Sequence, residues 1–267
     1  MIKLIATDLD GTLLNREKKL PDDIFDVVDA LDKKGILFAA ASGRQMASLE
    51  RLFAPVREKM IFIAENGAYV KYKDEEIAAE IMDKFLIRDM VRKIKDRPNF
   101  RFLIEGRNMA YTDHETMYKA MTSRKFNYNV TLVEDTEDVF SIKDDIIKAA
   151  LSDVTTNKRS DFGEMHTFFN DRCTAVLSGD NCLDFQNTGV NKGSAIKKIK
   201  NRFGMEKSEI ISFGDNFNDL EMLEESGKAF IMENSPEDMK TAIKAEIIGT
   251  NEECAVTEKI KNLVLRG

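Results

Sequence analysis

The chain has 267 residues, 43% apolar and 33% charged, with 40 Lys and Arg against 47 Asp and Glu for a formal charge of −7. Such a length predicts one large domain or two moderate ones, and the composition excludes a disordered or fibrous chain. An acidic balance without a dominant basic block argues against a nucleic-acid or anionic-membrane partner, since both depend on positive charge.

From the start, IKLIATD (2–8) is a short continuous apolar run that ends in a carboxylate. LPDDIFDVVDALDKKG (20–35) then sets Ile24, Val27, Val28 and Leu31 at helical spacing and stops at Gly35. ILFAAAS (36–42) is strand-like again, so strand, helix and strand follow in the order of a parallel sheet with crossover helices. MASLERLFAPV (46–56) supplies the next helix and MIFIAEN (60–66) the next strand. AENGAYVKY (64–72) carries an Asn-Gly hairpin signal, and a small meander continues through EIAAEI (76–81).

Residues 83 to about 186 follow another rhythm: helix at 84–96, strands at 100–106 and 108–113, a helix near 114–126 and a strand at 145–151, with further strands near 165–169, 173–178 and 182–186. This is an α+β inventory with hairpins. From 188 the alternation returns, with a helix at 191–204, a buried strand at 209–215, and a helix at 218–227 opened by Asn218 with Glu221 three residues on. A strand at 228–232 and a helix at 235–244, with Ser235 as N-cap and Pro236 at its first position, complete the series. The simplest architecture is α/β, one mainly parallel sheet domain built from 1–82 and 187–267 with a second domain inserted at 83–186. Cys173, Cys182 and Cys254 form no CxxC pair, and no apolar run approaches the ~20 residues that span a bilayer. A cytoplasmic protein with reduced thiols and no membrane partner is expected.

Ligands of open α/β sheets sit beyond the carboxyl ends of the strands, where three polar segments fall. Asp8 and Asp10 end the first strand, Ser42, Gly43 and Arg44 the second, and GDNFND (214–219) the strand at 209–213. Asp8, Asp10 and Asp215 form a hard oxygen site suited to Mg²⁺, which takes one or two carboxylates and keeps places for water and phosphate. With that charge neutralised, one carboxylate can attack phosphorus to give an aspartyl-phosphate, and the second can move the proton of the leaving oxygen. Lys192 stands in the first turn of its helix, where the dipole disfavours a cation and favours an anion. A charge aimed at a phosphoryl group, restrained by Asp219 or Asp215, accounts for it. Ser42 is expected to donate its hydroxyl to a phosphate oxygen, and Asn218 is read either as a helix cap or as a phosphate contact.

DLDGT (8–12), SGR (42–44), NKG (191–193) and GDNFND (214–219), in that order, resemble the four motifs of the haloacid dehalogenase-like superfamily. The insertion after the second motif, with ENGA (65–68), resembles its Cof-type branch of small-molecule phosphatases. The resemblance implies a Rossmann-like core with an α/β cap that selects the substrate, and Mg²⁺-dependent hydrolysis of phosphate monoesters, often sugar phosphates. It makes Asp8 the nucleophile and Asp10 the general acid/base and a metal ligand through its main-chain oxygen. Asp215 completes the metal site, Leu9, Ser42, Gly43, Arg44, Lys192 and Asn218 meet the phosphate or substrate, and Asp219 and Thr12 support them. The expected partner is a small phosphorylated metabolite; protein partners are unspecified.

Two segments depart from the family pattern, MENS (232–235) where MGNA is common and ECAV (253–256) where a DGV-like turn is usual. They bear on local loop geometry rather than on the four motifs. In the cap, Arg107, Asn108, His114, His166 and Arg172 are candidate substrate contacts. A phosphomutase on the same core and a non-catalytic phosphate-binding regulator are the alternative functions.

Overall fold

Strands and helices alternate at both ends of the chain, where apolar runs of five or so residues follow amphipathic stretches of helical period. β1 (Leu4–Asp8), α1 (Ile24–Lys33), β2 (Leu37–Ala41), α2 (Met46–Leu52) and β3 (Met60–Ala64) lead into β4 (Tyr69–Tyr72) and β5 (Glu75–Ala79). Next come α3 (Lys84–Lys93), β6 (Phe100–Gly106), β7 (Ala110–Thr112), α4 (Glu115–Met121), β8 (Val130–Leu132), β9 (Ile146–Asp153), α5 (Gly163–Phe169), β10 (Thr174–Leu177) and β11 (Cys182–Gln186). The alternation resumes with α6 (Lys192–Phe203), β12 (Ile210–Gly214), α7 (Leu220–Glu224), β13 (Lys228–Met232), α8 (Glu237–Ala242), β14 (Glu246–Ile248) and α9 (Ala255–Ile260). The computed structural model describes residues 1–124, 126–155, 162–177 and 181–265. Lys125, within the helix expected near 114–126, and Ser178, at the end of the strand expected near 173–178, lie outside the described residues.

Contacts divide the chain into two units, the first formed by Met1–Ser42, Leu49–Ala78 and Asn191–Gly267. Its sheet runs β14-β13-β12-β1-β2-β3-β4-β5, parallel from β14 to β3 and antiparallel between β3 and β4. β1 sits between β2, which follows it in sequence, and β12, which returns from the far end of the chain. That reversal of strand order opens a crevice at the carboxyl ends of the central strands. The helices cover the faces by apolar stripes. α1 buries Ile24, Val27, Val28 and Leu31, as its spacing predicts, and α6 packs Ala195, Ile196 and Ile199 with Leu4, Ala39, Ile61 and Val70. No helix among the described residues is long and apolar enough to cross a membrane.

The second unit comprises Ala79–Val190 and also Gly43–Ser48. Its sheet is ordered β10-β11-β9-β6-β7-β8, antiparallel except between β7 and β8. One core joins Phe102, Ile104 and Leu151 to Ile87 and Met90 of α3 and to Met165 and Phe169 of α5. Within this unit Gly43–Ser48 is held at three points. The Gly43 carbonyl accepts from Lys148 Nζ at 2.8 Å, Gln45 exchanges bonds with the Asn129 backbone at 2.7 and 3.1 Å, and Ser48 Oγ donates to the Phe126 carbonyl at 2.6 Å.

The strand expected near 165–169 is instead helix α5. Met165 and Phe169, four residues apart, are buried on one face, while Phe168 is exposed. A short run of aromatic residues cannot distinguish strand from helix by periodicity, and tertiary packing decides here. The edge strand β8 has no counterpart among the expected elements. At the other end of the chain Ser235 does not cap α8, which begins at Glu237 after Pro236, and the buried Ser235 hydroxyl has no hydrogen-bond partner among the described residues.

Candidate active site

β1 is buried throughout, and its last residue, Asp8, is 5% exposed. Beyond it the chain turns sharply, the Thr12 and Leu14 N–H groups both donating to the carbonyl of the buried Leu9 (3.2 and 2.8 Å). Gly11 adopts φ +95°, and a Cβ there would lie 2.3 Å from Asp215 Oδ2. Glycine is therefore required both by the backbone and by the approach of the carboxylate. Thr12 Oγ1 donates to Asp215 Oδ1 at 3.0 Å, joining the end of β1 to the loop after β12. Two asparagines brace the turn from outside, Asn234 Nδ2 donating to the Gly11 carbonyl and Asn251 Nδ2 to the Leu14 carbonyl, both at 2.8 Å.

Lys192 enters as the first residue of α6, fixed by a reciprocal cap. The Asn191 side chain accepts from the Ser194 N–H at 2.7 Å, and the Ser194 hydroxyl accepts from the Asn191 N–H at 3.1 Å. Its ammonium is fully buried and donates to Asp8 Oδ1 at 2.5 Å and to Asp219 Oδ1 at 2.6 Å. Asp219 Oδ2 meanwhile accepts from the backbone N–H groups of Asp215 and Asn216 (2.9 and 3.1 Å). Asp219, rather than Asp215, is thus the carboxylate that restrains Lys192.

Carboxylate oxygens of Asp8, Asp215 and Asp219 lie within 4.8 Å of one another. Burial, with the Asp219 charge added, raises Asp8 well above the usual carboxylate range despite Lys192, and the same two causes push Asp215 up to about 6. For Lys192 burial opposes the charge, but Asp219 and Asp8 outweigh it and raise its pKa. Three carboxylates share one buried ammonium, an excess of negative charge on hard oxygen donors that fits a divalent cation of the Mg²⁺ type. Since Asp219 is committed to Lys192 and to two amides, Asp8 and Asp215 are the carboxylates able to hold it.

The Asp10 carboxylate pairs with Lys18 Nζ at 2.8 Å, about one-third exposed, and is not one of the three clustered carboxylates. Ser42 is buried at the end of β2, its N–H donating to the Ile63 carbonyl at 2.8 Å. Gly43 and the buried Arg44 belong to the second unit. Asn218 opens no helix: Asn216 caps a single 3₁₀ turn, Phe217–Asp219, with Asp219 as the reciprocal partner, and α7 begins at Leu220. Asx-type loops offer several residues able to cap, and here Asp219, needed at Lys192, also closes the turn. Asn218 Nδ2 instead donates to Asn66 Oδ1 at 3.4 Å. In the sequence Asn66 stands out as part of a turn signal and of the ENGA segment, neither of which points to Asn218. Among the candidate contacts in the second unit, the His114 ring caps α4, Arg107 pairs with Asp145 and Arg172 with Asp89; Asn108 bonds Asp144, and His166 lies on α5.

Of the two segments that depart from the family pattern, MENS differs at Glu233 and Ser235 and keeps the asparagine, the brace on Gly11 already described. In ECAV, Cys254 takes the left-handed conformation (φ +53°) that a glycine adopts without strain.

A model of the haloacid dehalogenase-like hydrolase family matches residues 5–260. The 5-amino-6-(5-phospho-D-ribitylamino)uracil phosphatase YbjI of Escherichia coli (strain K12) is 28% identical over 263 residues, covering 94% of this chain and 93% of that protein. The phosphatase YcsE of Bacillus subtilis (strain 168), named for the same substrate, is 26% identical and covers 99% of this chain and 96% of its own. A crystal structure from Eubacterium rectale superposes with a TM-score of 0.86 at 26% identity, over 98% of this chain and 99% of that one. With a family match over residues 5–260, nearly its whole length, the chain belongs to the haloacid dehalogenase-like hydrolases.

Proposed function

We propose that this protein is a Mg²⁺-dependent phosphatase of small phosphorylated metabolites, sugar and sugar-alcohol phosphates in particular, acting through an aspartyl-phosphate on Asp8. The buried Lys192 ammonium bonded to both Asp8 and Asp219 carries this reading, because no packing requirement explains a charge placed there. The substrate class is supported by the E. coli relative, whose named substrate bears its phosphate on a ribityl chain.

Asp8, Asp215 and the main-chain oxygen of Asp10 would hold the cation, which when bound supplies positive charge beside the phosphoryl group. Asp8 attacks phosphorus, the bond to the ester oxygen breaks, and Asp10 gives that oxygen its proton. Asp10 then takes a proton from water, the water oxygen attacks phosphorus, and the bond to Asp8 breaks to release inorganic phosphate. Lys192, Ser42 and Asn218 hold the phosphoryl oxygens, whose charge is the main thing such a site must stabilise. Leu9 lends backbone, Gly43 and Arg44 are assigned to the substrate, and the inserted domain expected at 83–186 is assigned the choice of leaving group. A cytoplasmic setting is part of the proposal, supported by three cysteines that form no disulfide.

Phosphate release from a panel of phosphorylated sugars, polyols and nucleotides, with Mg²⁺ or EDTA and beside the Asp8→Asn variant, tests it. Release that needs Mg²⁺ and is lost in the variant is expected. A folded protein that releases phosphate from nothing in the panel would sink the reading.

A further inference from the structure

Glu65, Asn66 and Gly67 form three consecutive left-handed residues, with φ of +49°, +51° and +102°. Two are not glycine and both are buried, at 1% and 5% exposure. Such a run is unfavourable for side-chain-bearing residues and persists only where its surroundings demand it. None of the three residues has a part in the chemistry described above.

The turn nevertheless touches three of the four motifs that do. Asn66 N–H donates to the Ser42 carbonyl at 2.9 Å. A Cβ on Gly67 would stand 2.2 Å from the Asn191 carbonyl oxygen and 3.1 Å from the Lys192 nitrogen, so the backbones before Lys192 and at Gly67 are in direct contact. Asn66 Oδ1 accepts from Asn218 Nδ2 at 3.4 Å. Asn66 thus meets the second motif through its backbone and the fourth through its side chain, while Gly67 packs against the third.

From this we infer that Asn66 is a positioning residue. Its side chain orients the Asn218 carboxamide, and the left-handed turn around it sets the spacing of Ser42 and Lys192 before a phosphoryl group arrives. Asparagine suits the position because it tolerates the left-handed region better than other side chains while keeping an acceptor oxygen. The inference rests on the phosphatase reading, in which Ser42, Lys192 and Asn218 hold phosphate oxygens.

The test is a double-mutant cycle with Asn66→Gly and Asn218→Ala, read by calorimetric binding of inorganic phosphate in Mg²⁺ and by kcat and KM on a substrate from the panel. Glycine keeps the left-handed backbone without strain, so Asn66→Gly removes the side chain alone and the fold should survive, as circular dichroism will verify. Expected are a ~3- to 10-fold loss of phosphate affinity, a matching fall in kcat/KM, and little further loss when Asn66→Gly is added to Asn218→Ala. Gly67→Ala should weaken phosphate binding by pushing on Asn191. Unchanged affinity in Asn66→Gly, or losses that simply add, would overturn the inference while native phosphate binding leaves the phosphatase reading standing. Failure of the native protein to bind phosphate would overturn both.

Discussion

Lys192 Nζ lies 2.5 Å from Asp8 Oδ1 inside a site where the lysine has no exposed surface. The ammonium is the only cation bonded to a cluster of three carboxylates among the described residues, so its removal leaves buried charge uncompensated. Lys192→Met should lower stability by about 3–5 kcal/mol, the usual consequence of breaking a buried pair from one side. It should also lower kcat by about 10²-fold or more, as loss of a group that meets developing charge does. Urea unfolding and phosphate release check the two effects separately. A variant that keeps near-native kcat would show that Lys192 only fills the space between Asp8 and Asp219.

Stability should depend on pH differently with and without a cation. Asp8 and Asp215 both have raised pKa values, that of Asp215 moving from 3.8 to about 6. Between those values the folded chain binds more protons than the unfolded one, so in EDTA stability is greater at the acid end and falls as the pH rises through 6. Mg²⁺ favours the ionised carboxylates and should oppose that fall, raising Tm more at pH 7 than at pH 4.5. Thermal unfolding in EDTA and in Mg²⁺ at the two pH values measures this. An equal Mg²⁺ effect at both would dissociate the cation from these carboxylates.

Gly11 gives a sharper test of the same geometry. Gly11→Ala adds a Cβ 2.3 Å from Asp215 Oδ2 at a residue held at φ +95°. The backbone alone should lose about 1–2 kcal/mol, and displacement of Asp215 should weaken Mg²⁺ binding in addition. Titration of Tm with Mg²⁺ separates the contributions, since a purely local backbone effect would lower Tm without moving the midpoint of the Mg²⁺ response.

Much of this site was legible because its chemistry coincides with strand ends. Apolar runs before Asp8, Ser42 and Asp215 mark parallel strands, and residues at adjacent strand ends must meet in space. What was not legible depended on choices among equivalent side chains. Asp215 and Asp219 are interchangeable as partners of Lys192 on sequence alone. Two backbone amides that already bond Asp219 decide between them. Lys18 as partner of Asp10, Asn234 as brace of Gly11 and Asn66 beside Asn218 are contacts that no local period announces. Helix α5 illustrates the same limit in the fold, since MHTFF (165–169) suits a strand until Met165 and Phe169 find a common core. Those decisions lie in tertiary packing, which overrides short-range propensity.

The second unit holds a charged cluster that makes its own prediction. Glu105 on β6 stands directly opposite Lys148 on β9, and Asp184 on β11 pairs with Ala150, two residues along. All three are almost wholly buried, with Lys148 Nζ 2.7 Å from Glu105 Oε1, 3.6 Å from Asp184 Oδ2 and 2.8 Å from the Gly43 carbonyl. Cross-strand and diagonal placement brings the charges together, and low local dielectric makes each depend on the others. Lys148→Met would leave two carboxylates buried side by side and should destabilise the unit by about 3–5 kcal/mol. Glu105→Gln in the same chain should recover part of that loss by removing one of the stranded charges. Hydrogen exchange at the β6, β9 and β11 amides localises the effect to this sheet. If Lys148→Met alone exchanged as slowly as the native protein, burial of the two carboxylates would not depend on the lysine, and the cluster would be held by packing.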